Sequence, residues 1–181
     1  MGLLDNILGG GTQAGSNAYT VPVPFIPQNL QQLQQMPYAA LTNEFEVAAL
    51  TVAVLCNYSQ NVQATLEMLN YLRGPRPLSQ MEVQFIHDRL TGKPYKMVSY
   101  LQGTSPDNNY TPTTPLAVTV MTTPYTYQNA EYARLWLPSS GADSPRQLDL
   151  RRKPSTSQWF VWNTDGLMPD IRVPINQNPW A

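Results

Sequence analysis

The chain has one cysteine and one histidine. An internal disulfide is therefore excluded, and so is a zinc site drawing on several thiolate or imidazole ligands. Charged residues make up only 13% of the sequence, about half the usual share of roughly 25%. Polarity comes instead from 15 Gln and 13 Asn. With 11 basic and 12 acidic residues the formal net charge is −1, so nothing global draws the chain to nucleic acid or to an anionic bilayer. No stretch reaches the roughly 18 uninterrupted apolar residues of a membrane span. The opening MGLLDNILGGGT lacks the basic segment and apolar core of a signal peptide. The default expectation is a cytoplasmic protein with no cofactor and no bound metal.

What is present suits one small domain. The length of 181 residues, with 42% hydrophobic, permits a real core. Seventeen prolines predict many rigid connections and few long helices. Residues 1–37 read as a flexible tail and linker: a short apolar helix around Leu3–Leu8 ended by three glycines, an extended VPVPFIP, then QNLQQLQQ with at most one fleeting helix. A single domain is expected over 38–181.

Three helices should open that domain. Asn43 with Glu46 resembles a capping box, and FEVAALTVAVLC after it is apolar all round, as in a buried helix. Cys56 in that run reads as a buried thiol. A second helix from about Ser59 presents Val62, Leu66, Leu69 and Leu72, and Arg73-Gly74-Pro75 ends it. A third, from Ser79-Gln80-Met81-Glu82, presents Met81, Phe85, Ile86 and Leu90. Links of about five residues make the three antiparallel neighbours. After Gly92 the period changes to two, which predicts strands at 95–100, 116–121, 131–137, 146–152 and 158–163, with a last edge at Ile171–Pro174. The fold class expected is α+β, three antiparallel helices followed by a mainly antiparallel sheet of five to six strands.

The stretch 131–163 holds three of the four tryptophans and five of the eleven basic residues. If PSTS at 154–157 is a hairpin tip, Lys153 faces Gln158, Arg152 faces Trp159, Arg151 faces Phe160 and Leu150 faces Val161. The same register sets Asp149 opposite Trp162 and Leu148 opposite Asn163. Arginine beside an aromatic ring stabilises an edge hairpin, and the same residue types concentrate on binding surfaces. Arg151, Arg152, Trp159 and Trp162 are the candidate interaction surface. The loop Ser139, Ser140, Gly141, Asp143, Ser144 with Arg146 is the candidate polar ligand site, since glycine at a positive φ with nearby hydroxyls can form an anion-holding nest. A turn in which Asp143 bonds its own backbone is the plainer alternative. His87 is the one conventional base for neutral pH, although Asp88 lies about 100° round the helix from it. Arg73, Arg76 and Arg89 stand where the second and third helices meet and read as solvated helix ends.

Several stretches resemble an uncharacterised bacterial family of unknown function found mainly in Gram-positive gut bacteria. They are NEFEVAALTVAVLCNY, MLNYLRGPRPLS, FIHDRLTGKPY, SYLQGTSPDNNYTP, GADSPRQLDLRRK, WFVWN and the closing NPWA. The resemblance covers about residues 37–181 and implies one domain there; it brings no activity, ligand or catalytic residue.

Together these features favour a non-enzymatic binding or protein-interaction module with an Arg/Trp-rich surface beside the 105–115 loop. The competing expectation is a small hydrolase or transferase acting on an anionic small molecule, with His87 as base and the serine loop as cradle. The partner expected is a protein or a small anionic ligand, with self-association as a further option and nucleic acid excluded.

Overall fold

The computed structural model describes residues 16–181. Five antiparallel strands form one sheet in the order β1-β2-β3-β4-β5: Asn17–Pro22, Ala117–Thr122, Tyr132–Leu137, Arg146–Lys153 and Gln158–Asn163. The helices are α1 (Leu30–Gln34), α2 (Glu44–Cys56), α3 (Val62–Arg73), α4 (Gln80–Leu90) and α5 (Tyr95–Val98). The class is the α+β arrangement expected, with the long helices preceding four of the five strands. Among the described residues no helix is long and apolar enough to cross a membrane.

The centre of the core is α2. Asn43 Oδ1 accepts from the N–H groups of Phe45 and Glu46 and starts the helix. All nine residues from Val47 to Leu55 are buried, as an all-round apolar helix requires. It packs against β1, β2 and β5 and against α3 and α5. Cys56, at its end, has its thiol pushed up to about 12 by burial, which keeps it in the inert form. The Ser79–Glu82 capping box forms at α4. Its expected core stripe holds at Ile86 and Leu90, but Met81, in the first turn, is 85% exposed.

Three expectations need correction. Residues 17–37, read as linker, are structured. Asn17–Pro22 pairs with β2 as an edge strand, where proline at a strand end costs no ladder bond, and Val23 N–H continues the pairing to Leu116 O. Asn29 caps α1, and Leu33 is fully buried there. The apolar helix read near Leu3–Leu8 lies outside the described residues. Second, the stretch 95–100 is helix and turn. Met97, Tyr100 and Leu101 are buried, a spacing of three and four that the alternating polar residues concealed. Lys96, within that stretch, is 3% exposed and donates Nζ to Met168 O. Its pKa is lowered by burial first and by Lys93 next. Third, Ile171–Pro174 forms no strand: Ile171 is buried and Arg172 N–H bonds Gly141 O.

The β4–β5 hairpin follows the expected register from Lys153↔Gln158 through Leu150↔Val161 and then departs from it. Asp149 faces Asn163, so Trp162 is an extra residue in a β-bulge. The expected pairs Leu148 with Asn163 and Asp149 with Trp162 are absent for that reason.

Candidate binding surface

The polar residues of the serine loop are bound into the fold. Ser139 Oγ lies 2.7 Å from Ser99 Oγ and accepts from Gly141 N–H. Ser140 Oγ lies 2.8 Å from Thr104 Oγ1 and donates to Ser99 O, and Ser140 N–H bonds the same carbonyl. Asp143 pairs with Arg172 instead of its own backbone, and Ser144 is exposed. Arg146 donates Nη2 to Asp170 O, while its Nε is buried without a partner among the described residues. Gly141 is required for room and not for a positive φ. A Cβ there would stand 2.2 Å from Tyr110 Oη and 2.4 Å from Ile171 Cγ2. The expected anion nest is therefore replaced by a packed corner whose hydroxyls bond one another and nearby backbone.

His87 is exposed on α4, its Nδ1 3.1 Å from Thr91 Oγ1 and 3.4 Å from Tyr58 Oη. None of the loop's hydrogen bonds reaches it. Among the described residues no cluster of three or more His, Cys, Asp or Glu could hold a metal ion.

The two candidate tryptophans of β5 separate sharply. Trp159 belongs to the core at 8% exposure, and its N–H bonds Leu41 O; it is not part of a surface. Arg152, across from it, is half-buried and donates Nη2 to Ser157 Oγ at 3.3 Å. Trp162, three residues on, lies on the opposite face of the strand and is half-buried. Its ring lies 4.5 Å from the Arg76 guanidinium and 4.8 Å from that of Arg151, with Tyr132 edge-on at 5.7 Å. Arg151 also lies 5.4 Å from the Tyr132 ring.

Backbone freed by the bulge anchors this cluster. The Trp162 carbonyl accepts from Arg73 Nη1 and Arg76 Nη1, at 3.3 and 3.0 Å. Both arginines also reach Glu82 Oε1, at 2.8 and 3.1 Å. These are the arginines of RGPRP, read from sequence as solvated helix ends. The Arg73 side chain is only 2% exposed, and Arg89 stands apart over the Phe85 ring. Gly74 joins the two elements: at φ +59° it caps α3, and a Cβ there would stand 2.4 Å from the Phe160 ring.

Charge tuning follows the geometry. Burial lowers the Arg73 pKa, and Glu82 opposes the shift. Burial alone would raise Glu82; bonds from the Ser79 backbone and hydroxyl, with both guanidiniums, outweigh it and hold the carboxyl below its ordinary value. Asp165 is raised, by burial first and by Glu82 next.

Trp162 forms a wall shared by two clefts. One, of about 310 Å³, runs between Pro75-Arg76 and the hairpin, with Arg151, Arg152, Lys153 and Pro154 on its rim and Phe160 and Val161 at its base. The other, of about 300 Å³, is lined by Tyr125, Gln128, Asn129, Tyr132 and the ion pair Arg134–Asp149. The first is apolar with a cationic rim; the second is polar and nearly neutral. Sequence reading named Arg151 and Trp162 but missed Tyr125, Tyr132 and Phe160. It also set Arg73 and Arg76 aside, because their link to Trp162 crosses more than eighty residues of chain.

The sequence matches the family described as "Domain of unknown function (DUF6935)" over residues 25–175. No curated protein and no solved structure matches the chain.

Proposed function

The chain belongs to the DUF6935 family, and we propose that it is a non-enzymatic binding module whose recognition surface is the pair of clefts meeting at Trp162. The observation that carries this reading is Trp162 itself, half-buried on the outer face of β5 between two guanidiniums and shared by two clefts. The bulge beside it interrupts the ladder and leaves the Trp162 carbonyl to accept from Arg73 and Arg76. Rigid aromatic rings with arginine are the residue types that concentrate at binding hot spots, and each cleft reaches the lower end of ligand-pocket size. The Arg73–Glu82 pair beneath holds the carbonyl and fixes the ring's position. The hydrolase alternative gains no support: His87 and the serine loop share no contact among the described residues, and the loop's hydroxyls are engaged.

The test is a set of small organic anions, neutral saccharides and aromatic amides, titrated against 15N-labelled protein. The expected result is that shifts concentrate on the Trp162 indole N–H and on residues 73–76, 125–132 and 151–162. If every responding probe mapped to other residues, the assignment of the surface would be wrong.

A further inference from the structure

We infer that the cleft between Pro75-Arg76 and the β4–β5 hairpin takes an extended acidic peptide segment of a partner protein; this rests on the binding surface proposed above. Five of the chain's eleven basic residues, Arg73, Arg76, Arg151, Arg152 and Lys153, line this one cleft of a protein whose net charge is −1. Arg73 and Arg76 are engaged by Glu82, whereas among the described residues Arg151, Arg152 and Lys153 have no carboxylate partner. The Arg151 guanidinium lies 4.8 Å from the Trp162 ring and 5.4 Å from the Tyr132 ring. Ring contact leaves a guanidinium's planar fork of N–H donors able to take a carboxylate side-on, and among the described residues no carboxylate occupies that of Arg151.

The spacing selects an extended chain. Arg151 and Lys153 sit two residues apart on β4, on one face and about 7 Å from each other along the strand. A peptide in extended conformation repeats its own side chains at the same distance, so acidic residues at every second position match the two cations in register. The base of the cleft, Phe160 and Val161, is apolar, as are Pro75 and Pro154 beside it, and suits the aliphatic portions of such a segment. A compact inorganic anion would meet only one cation and leave this base bare.

Two capped hexapeptides test the inference, Ac-Glu-Ala-Glu-Leu-Glu-Ala-NH2 and its counterpart with Gln for Glu, titrated by NMR in about 50 mM salt, where surface charge is weakly screened. The acidic peptide should bind roughly tenfold tighter than the Gln peptide, shift the Trp162 indole, and lose at least tenfold on Arg151→Glu with Lys153→Glu. Melting curves verify that the double variant folds, and the milder Lys153→Gln, on an exposed side chain, should give about a threefold loss. Equal binding of the two peptides at the Trp162 indole would overturn the acidic-peptide inference while leaving the binding surface standing. Sodium phosphate competing at the peptide's own concentration would likewise overturn it in favour of a small anion. A response to neither peptide, nor to any probe, at Trp162 would overturn the surface itself.

Discussion

The serine loop at 139–146 and the hairpin cleft at Trp162 carry similar chemistry, arginine with small polar or aromatic neighbours on the rim of one sheet. In the loop, Ser139 and Ser140 are bonded to Ser99 and Thr104, Gly141 is packed under Tyr110, and Arg146 holds the Asp170 carbonyl. At the cleft the arrangement is layered. A buried arginine, itself paired with Glu82, donates to a backbone carbonyl, and the ring and guanidiniums above it face outward. Residue type alone does not separate a corner from a surface; what separates them is where the second hydrogen bond of each group goes.

The largest effect should come from testing the same contrast within β5. Trp159→Ala removes a ring that is 8% exposed in the core, and Phe or Trp truncations of this kind cost about 3–5 kcal/mol. Thermal unfolding should show a loss of that order. A loss under 1 kcal/mol would mean that Trp159 is a surface residue after all. Next, Gly141→Ala places a methyl against Tyr110 Oη and Ile171 and should cost about 2 kcal/mol by overpacking. A ligand loop with spare room would accept the alanine with no change in melting.

A smaller effect concerns pH. Glu82 titrates lower in the folded chain than its ordinary value, so its contribution is complete above the unfolded value, about 4.3, and is lost as pH falls through the folded one. Asp165 is raised and works in the opposite sense, since its protonation relieves a buried charge. The stability gap between the wild type and Glu82→Gln should therefore be widest near pH 6 and narrow towards pH 3. A gap independent of pH would show that Glu82 acts through the Ser79 cap alone and not through its charge.

The contrast also marks how far the sequence could be read. The helix caps at Asn43 and Ser79, the all-round burial of α2, the hairpin turn and its first four pairs follow from local pattern. The strand at Asn17–Pro22 did not, because Pro22, the prolines that follow it at 24 and 27, and its distance from β2 suggested a linker; its pairing partner lies some hundred residues on. The family match begins at residue 25, three residues after that strand and inside the stretch 1–37 read as tail and linker. The helix at Tyr95–Val98 was hidden by a buried lysine, a residue that seldom goes inside. The surface was half legible. Crowded Arg and Trp in QLDLRRKPSTSQWFVWN pointed to the hairpin, but no local signal announced the bulge, and the partners Arg73 and Arg76 come from a helix end with its own sufficient explanation. For the serine loop, glycine beside hydroxyls suggested a nest, and only the tertiary contacts of Tyr110 and Ser99 reveal a corner.

The smallest expected change in stability is the most informative, because it separates the ring from the carbonyl behind it. Trp162→Ala deletes the indole and its contacts with Arg76 and Arg151, each such contact being worth about 0.5–1 kcal/mol at an exposed site. It leaves the backbone carbonyl in place for Arg73 and Arg76, so the bulge and its salt bridge survive. Melting should fall by no more than about 1–2 kcal/mol in unfolding free energy, while probe-induced shifts at residues 73–76 and 151–153 lose most of their amplitude. A collapse comparable to that of Trp159→Ala would make Trp162 a packing residue. The cleft would then join the serine loop as a second closed corner, and the distinction between the two regions would vanish.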